Sequence, residues 1–171
     1  MTEGGTRVLW ITPWWALPGT TLLAMDSIPP RIRPESCAPL RTQTDLQQHW
    51  TMLMGELGFG ARSLWVHVLD DQSRPTPFLV QIEDIPELPE SDHLDSVVQM
   101  ARHFIDDGSR YATVVFLLAR PGRRGLTPEE RAWARGLQAA VARAGLPVWP
   151  VHCANDQELL VCAPDDLVPS G

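Results

Sequence analysis

One loop of this chain carries three arginines around a Pro-Gly pair and is the clearest candidate for a binding site: Arg120, Arg123 and Arg124. The loop leads into Thr-Pro-Glu-Glu at 127–130, which is typical of a helix start. Guanidinium groups, backbone N–H groups and the positive end of a helix dipole together favour an anion, either a phosphate or a partner's carboxylate. The alternative interpretation is a solvated turn in which Arg120 pairs with a neighbouring acid, Glu129 or Glu130.

The histidines and cysteines have spacings that favour structural roles. Cys37, Cys153 and Cys162 are odd in number and lack a Cys-x-x-Cys pattern, which predicts reduced thiols. His152 adjoins Cys153, but neighbouring residues of a strand point to opposite faces and would not bind one cation. The sequence also lacks a Gly-x-Ser-x-Gly elbow, a Walker loop and a Gly-x-Gly-x-x-Gly motif. It therefore predicts no metal site and no cofactor.

One catalytic alternative stays open. Four polar residues could converge as an atypical nuclease or peptidase site: Glu83, Thr127, Glu130 and His152. General acid–base chemistry would require their side chains to meet within hydrogen-bond reach of a common water. The alternative is thus a geometric hypothesis that a structure can test.

Helices and strands must position these residues, and their signals are clearest after residue 41. Apolar residues recur at helical spacing in three stretches, which we expect to begin at the caps Thr44, Asp92 and Thr127 and to end at Gly58, Gly108 and Gly145. Apolar or alternating runs predict strands at 63–69, 78–82, 112–118, 148–152 and 159–162. This order predicts an α/β (α+β) fold with a single mixed sheet flanked by helices.

The first forty residues differ from the rest. A possible strand at 8–12 and a second apolar run at 20–25 suggest a short hairpin, and the prolines of 28–34 predict an extended linker. We therefore divide the chain into this segment, 1–40, and a main domain, 41–171. Trp14 and Trp15 have no place in the core pattern, so they either pack back on the sheet or anchor a protein partner or a second copy.

Composition excludes several classes of function. The net charge is −7 and all 14 basic residues are arginine, which argues against broad nucleic-acid binding because that needs a basic surface. No apolar run approaches the roughly 18 residues of a membrane helix, and the first residues lack the pattern of a signal peptide. We expect a cytoplasmic protein that does not insert into a membrane.

Several segments, in this order, resemble one enzyme superfamily. They are the strand 64–70 ending in Leu-Asp, the helix 94–104, the strand 112–118 before Arg-Pro, and Leu126-Thr-Pro-Glu-Glu130. From about Arg41 to Asp166 the chain is similar to the JAB/MPN metal-dependent fold, and more narrowly to its RadC-like branch. A looser resemblance links the Arg-Pro-Gly loop to actinobacterial proteins of unknown function, and it implies no activity.

The resemblance has a consequence for chemistry. The family's metal motif is His-x-His-Pro followed by Ser or Thr and an Asp, whereas this chain has Leu118-Ala-Arg-Pro121, then Thr127 and Glu130. A leucine cannot bind zinc and a guanidinium repels a cation, so the resemblance implies a pseudoenzyme without family-type zinc hydrolysis. Glu83 is the nearest candidate for the family's catalytic acid.

The resulting hypothesis is a non-catalytic, metal-free domain that acts as a protein-binding or scaffold module. Its predicted contact residues are the three loop arginines together with Trp14 and Trp15. The alternatives are a hydrolase with a displaced site at the four polar residues above, and a small-anion sensor at the Arg-Pro-Gly loop.

Overall fold

The fold is described by a computed structural model, which covers residues 8–9, 37–106, 111–123 and 125–163. Within these ranges the elements are β1 (Val8–Leu9), α1 (Gln43–Met54), β2 (Ser63–Asp70), β3 (Pro75–Glu83), α2 (Ser91–Asp106), β4 (Tyr111–Ala119), α3 (Pro128–Arg143), β5 (Val151–Ala154) and β6 (Leu159–Cys162). None of the helices in the described ranges is long and apolar enough to cross a bilayer.

The described strands form one six-stranded sheet in the order β1-β3-β2-β4-β5-β6. The pair β4–β5 is parallel and the other pairs are antiparallel. The connection between the parallel strands passes through α3, as a parallel crossover requires. The predicted fold, a single mixed sheet flanked by helices, is confirmed.

Each face of the sheet has its own apolar core. On one face, strand residues such as Leu64 and Phe116 pack with Trp133 and Leu137 of α3 and with the buried side of α2. On the other face, Trp50 and the rest of the apolar side of α1 pack on alternate strand residues. The structure thus has three layers, and the alternation of side chains along β2 decides which layer each residue meets.

The caps of two helices differ from the predicted ones. Helix α1 begins after Thr42, which forms a capping box with Asp45, so the predicted box of Thr44 and Gln47 is wrong. The Asp45 carboxylate accepts from the N–H groups of Arg41 and Thr42, a stronger interaction than an amide oxygen offers. The predicted cap of α2 is also wrong, because the helix already begins at Ser91.

Two strand boundaries also differ. Strand β3 begins at Pro75, before the predicted start at 78, because the Thr76 hydroxyl donates to the Val68 carbonyl and extends the hairpin. Strand β5 begins at Val151 and not at 148. Pro150 has no N–H to donate to a neighbouring strand, which accounts for the later start.

Of the predicted N-terminal hairpin, the structure describes only β1. Val8 lies opposite Ile82 of β3, which places this short strand at one edge of the sheet. The remainder of the predicted hairpin and the Pro-rich linker up to residue 36 lie outside the described residues.

Candidate functional site

The end of β4 brings the Arg-Pro-Gly loop to the face of the sheet that α2 and α3 cover. Leu118 is buried in the core of that face, and the side chain of Arg120, two residues later, contacts Glu130 at the start of α3. Arg120 is only 8% exposed. Of the predicted solvated turn, Pro121, Arg123 and Gly125 are exposed, whereas Arg120 itself is buried. The predicted pairing of Arg120 with a local acid is confirmed.

The partner of Arg120 is Glu130, in the first turn of α3. The Arg120 Nε donates to Glu130 Oε1 at 2.9 Å, and Nη2 lies 3.4 Å from Oε2. We call this buried ion pair the Arg120–Glu130 corner. The Arg120 side chain is 10% exposed and that of Glu130 is 5% exposed, so solvent screens their attraction little.

Glu130 has a second role at the start of α3. Its Oε2 accepts from the Thr127 N–H at 2.8 Å, while the Thr127 hydroxyl accepts from the Glu130 N–H at 3.2 Å. This is the capping box that the sequence predicts, with Pro128 at the start of the helix. The same carboxylate therefore caps the helix and neutralises Arg120.

Backbone carbonyls satisfy other donors of Arg120. Nη2 donates to the Gly125 carbonyl at 2.9 Å and Nη1 to the Pro121 carbonyl at 3.2 Å. Gly122 has a φ of 107°, and a Cβ at this position would lie 3.1 Å from Nη1 of Arg120. A side chain would be strained here both by the backbone and by the guanidinium, so the loop requires glycine.

A carboxylate of the chain itself occupies the anion-binding position of the loop. Asp156, in the turn between β5 and β6, accepts from Gly122 N–H at 2.7 Å and from Phe59 N–H at 2.9 Å. Its own N–H donates to the Gly122 carbonyl at 2.9 Å. The bonds from Gly122 and then Phe59 lower the pKa of Asp156, with Arg123 and Arg120 adding smaller electrostatic contributions. These contacts of Asp156 were not predicted from the sequence.

Of the other predicted contact residues, the structure describes one. Arg123 is exposed on the loop. Arg124, Trp14 and Trp15 lie outside the described residues. Because Arg120 faces inwards, it presents little of its guanidinium to a partner.

The four residues of the catalytic alternative do not meet. His152 lies opposite Leu117 on the sheet face that α1 covers, whereas Glu130 and Thr127 lie at the start of α3 on the opposite face. Glu83 of β3 lies opposite Ser63 of β2, and Ser63 also lies opposite Ala119 of β4, which belongs to the core on the α1 side. The side chain of Glu83 lies beside that of Gln81. The sheet therefore separates the acid at the start of α3 from the imidazole.

Two buried histidines on the α1 side form a network that sequence analysis did not predict. His67 Nε2 lies 2.8 Å from the Thr76 carbonyl, which can only accept, so this nitrogen carries the proton. His67 Nδ1 then accepts from His49 Nε2 at 3.0 Å. Burial, and then the neighbouring His67, lower the pKa of His49 to about 3, and burial lowers that of His67 to about 4. Both rings are therefore neutral at neutral pH.

A third imidazole, His152, is fully buried and has no hydrogen-bond partner for either nitrogen among the described residues. Burial lowers its pKa to about 4, and the nearby Pro150 carbonyl opposes this shift without the geometry of a full hydrogen bond. We refer to His49, His67 and His152 as the buried histidines. Their surroundings favour structural roles, because a metal ligand or a general base must reach a cation or a substrate.

An apolar pocket of about 230 Å³ opens beside β3 on the α2 side of the sheet. Its walls include Ile82, Met100 and Trp133, and the Trp133 indole is fixed by donating to the Pro86 carbonyl at 3.1 Å. His93 also lines the pocket, and its Nδ1 is buried without a partner among the described residues. This combination of an apolar cavity with one free polar atom is typical of a binding site.

Within the described ranges, no three His, Cys, Asp or Glu side chains group together as a possible metal site. Comparison of the chain with models of known protein families finds no match, and neither does comparison with curated proteins.

Proposed function

We propose that this protein is a non-catalytic, metal-free domain of the JAB/MPN type, similar to the RadC-like branch, which acts as a protein-binding or scaffold module. The observation that carries the proposal is the Arg120–Glu130 corner. In the resembled family, the position of Arg120 holds a metal-binding histidine. Here a buried cation belonging to the chain itself lies at that position.

The geometry of the corner supports the alignment with the family motif. Leu118 is buried in the core on the α3 side of the sheet, and the Arg120 side chain reaches Glu130 at the start of α3, so both positions face the same helix. Glu130 contacts the second of these positions directly, as an acidic ligand from the next helix would. A zinc ion would have to displace a guanidinium that donates to a carboxylate and two carbonyls, and it would find leucine in place of the other histidine.

The apolar pocket supports the binding role. Its volume exceeds the roughly 150 Å³ of an engineered cavity that takes up benzene, so it can accept an aromatic or branched side chain of a partner protein. His93 Nδ1 offers that side chain one hydrogen bond. The proposal of a protein partner also relies on an analogy from fold, since inactive relatives of enzymes often persist as binding modules.

The loss of catalysis is tested by metal analysis and hydrolysis assays on the full chain. Protein produced in zinc-supplemented medium should contain well under one zinc per chain, and it should not cleave DNA or isopeptide bonds. One tightly held zinc per chain, or metal-dependent cleavage abolished by a chelator, would contradict the proposal.

The binding role is tested at the pocket. Ser96 lines the pocket and is exposed on α2, so Ser96→Trp should obstruct it, whereas Gln99→Trp places the same side chain on the same helix outside it. Quantitative mass spectrometry then compares the proteins that wild type and each of the two variants retain from extracts of the source organism. A partner retained by wild type and Gln99→Trp but lost with Ser96→Trp is expected, and identical sets for all three would refute a pocket-mediated partner.

A further inference from the structure

Two cysteines meet in the core between β5 and β6. Cys153 and Cys162 are 2% and 0% exposed, and their sulfur atoms lie 3.3 Å apart. In the strand register Cys153 lies opposite Leu160 and Cys162 opposite Val151, so the two cysteines are diagonal neighbours on one face of the hairpin. Both belong to the core cluster on the α2 and α3 side.

We propose that Cys153 and Cys162 are a dithiol site that closes to an intramolecular disulfide. A disulfide bond is about 2.05 Å long, so the sulfurs must approach each other by only about 1.3 Å from their present 3.3 Å separation. Because the two cysteines already share one face of the hairpin, such a movement requires no change of strand register. The third cysteine, Cys37, is half-buried and packs against the core cluster on the opposite side of the sheet.

The reaction requires an oxidant, for which a low-molecular-weight disulfide such as oxidised glutathione is suitable. The thiolate of one cysteine attacks a sulfur of the reagent, forms a mixed disulfide and expels one reagent thiolate. The thiolate of the second cysteine then attacks the protein sulfur of the mixed disulfide and expels the other. The protein loses two electrons and two protons, and the reagent is reduced to two thiols.

Access to the pair is limited by the folded state. The hydrogen bond with Cys162 raises the pKa of the Cys153 thiol well above its ordinary value, and burial and Glu130 raise it further, while Arg120 opposes them. The thiolate of Cys153 is therefore a minor species in the closed structure, and its attack on a disulfide reagent is correspondingly slow. Strand β6, however, is a four-residue edge strand with three half-buried residues, so its local opening exposes Cys162.

Closure would connect the dithiol to the loop of the Arg120–Glu130 corner. The disulfide would fasten edge strand β6 to β5 on either side of the turn that carries Asp156. That carboxylate holds the backbone of Gly122 and of Phe59. Oxidation is therefore expected to slow amide hydrogen exchange at those two residues.

The test uses full-length protein refolded in a glutathione redox buffer, because refolding removes burial as a kinetic barrier. Wild type and Cys37→Ser should each lose two titratable thiols, with an intact mass lower by about 2 Da, the two hydrogens removed. Peptide mapping should find the peptide that contains Cys153 linked by a disulfide to the peptide that contains Cys162. The midpoint of thermal unfolding should rise by about 5–10 °C on oxidation, since the cross-link restricts the unfolded chain.

Cys153→Ser and Cys162→Ser are the matched variants, and neither should show an intramolecular cross-link or the rise in midpoint. Retention of all wild-type thiols under conditions in which the buffer oxidises a reference dithiol would overturn the proposal. A dominant disulfide involving Cys37, or one between two chains, would overturn it as well. None of these outcomes depends on the proposed loss of catalysis.

Discussion

Removal of one charge from the Arg120–Glu130 corner should destabilise the fold strongly. In Arg120→Met, the carboxylate of Glu130 keeps its Thr127 N–H donor but loses the guanidinium, and two carbonyls lose their donors. Breaking a buried ion pair by deleting one partner typically costs about 3–5 kcal/mol, because the remaining charge stays buried. Both side chains are at most one-tenth exposed, so this buried regime applies.

The magnitude converts to a measurable shift. For a domain of this size each kcal/mol lowers the unfolding midpoint by about 2–4 °C, so Arg120→Met should lower it by roughly 6–20 °C. The matched control is Arg143→Met, which breaks the ion pair between Arg143 and Asp95. Those side chains are 62% and 55% exposed, and an exposed pair contributes at most about 1 kcal/mol.

A double-mutant cycle with Glu130→Gln isolates the pairing. Glutamine can still accept from the Thr127 N–H, so the capping contact is retained while the charge is removed. The double variant should be more stable than the sum of the single effects predicts, by at least about 1.5 kcal/mol in urea unfolding. A cost below about 1 kcal/mol for Arg120→Met, or effects of the two substitutions that add to within about 0.5 kcal/mol, would refute a tightly coupled buried pair.

Three further predictions concern the loop and the buried histidines. The buried histidines have pKa values of about 3 to 4 against an ordinary 6.5, so the unfolded chain binds more protons and stability is lost as pH falls from 6.5 towards 4. The loss should reach up to about 1.4 kcal/mol per pH unit for each histidine, and a flat urea-unfolding profile between pH 7 and 5 would contradict it. Gly122→Ala should cost about 1–3 kcal/mol because of its positive φ, whereas Gly60→Ala, with open space around it, should be nearly neutral. Asp156→Asn should speed amide hydrogen exchange at Gly122, because the single amide oxygen of asparagine cannot accept equally well from the N–H groups of Gly122 and Phe59. The control variant Asp92→Asn, in the first turn of α2, should leave exchange at Gly122 unchanged.

Sequence analysis predicted correctly those features that depend on interactions between residues close together in the chain. The Thr127 cap, Pro128 and Glu130 lie within four residues, and the apolar run of β4 identifies a strand covered on both faces. The cap of α1 was missed because Thr42 and Thr44 both fit the pattern, and the choice depends on whether a carboxylate or an amide lies three residues later.

The parts that sequence analysis did not predict depend on contacts between distant segments. Asp156 and Gly122 are 34 residues apart, and their bond exists only because β5 pairs with β4 and returns the next turn to the loop. The bond between His49 and His67 depends on how α1 crosses the sheet. The local pattern around Arg120 indicated a partner acid but could not show that the pair is buried.

The proposed loss of the zinc site can be tested by restoring the two missing histidines. Leu118→His with Arg120→His would place two imidazoles on one side of β4 next to Glu130, and calorimetric titration with zinc compares this variant with wild type. We expect saturable binding of about one zinc per chain by the double variant and no saturable binding by wild type, since three ligands suffice for a site. Tight zinc binding by wild type, or no binding by a double variant that circular dichroism shows to be folded, would contradict it.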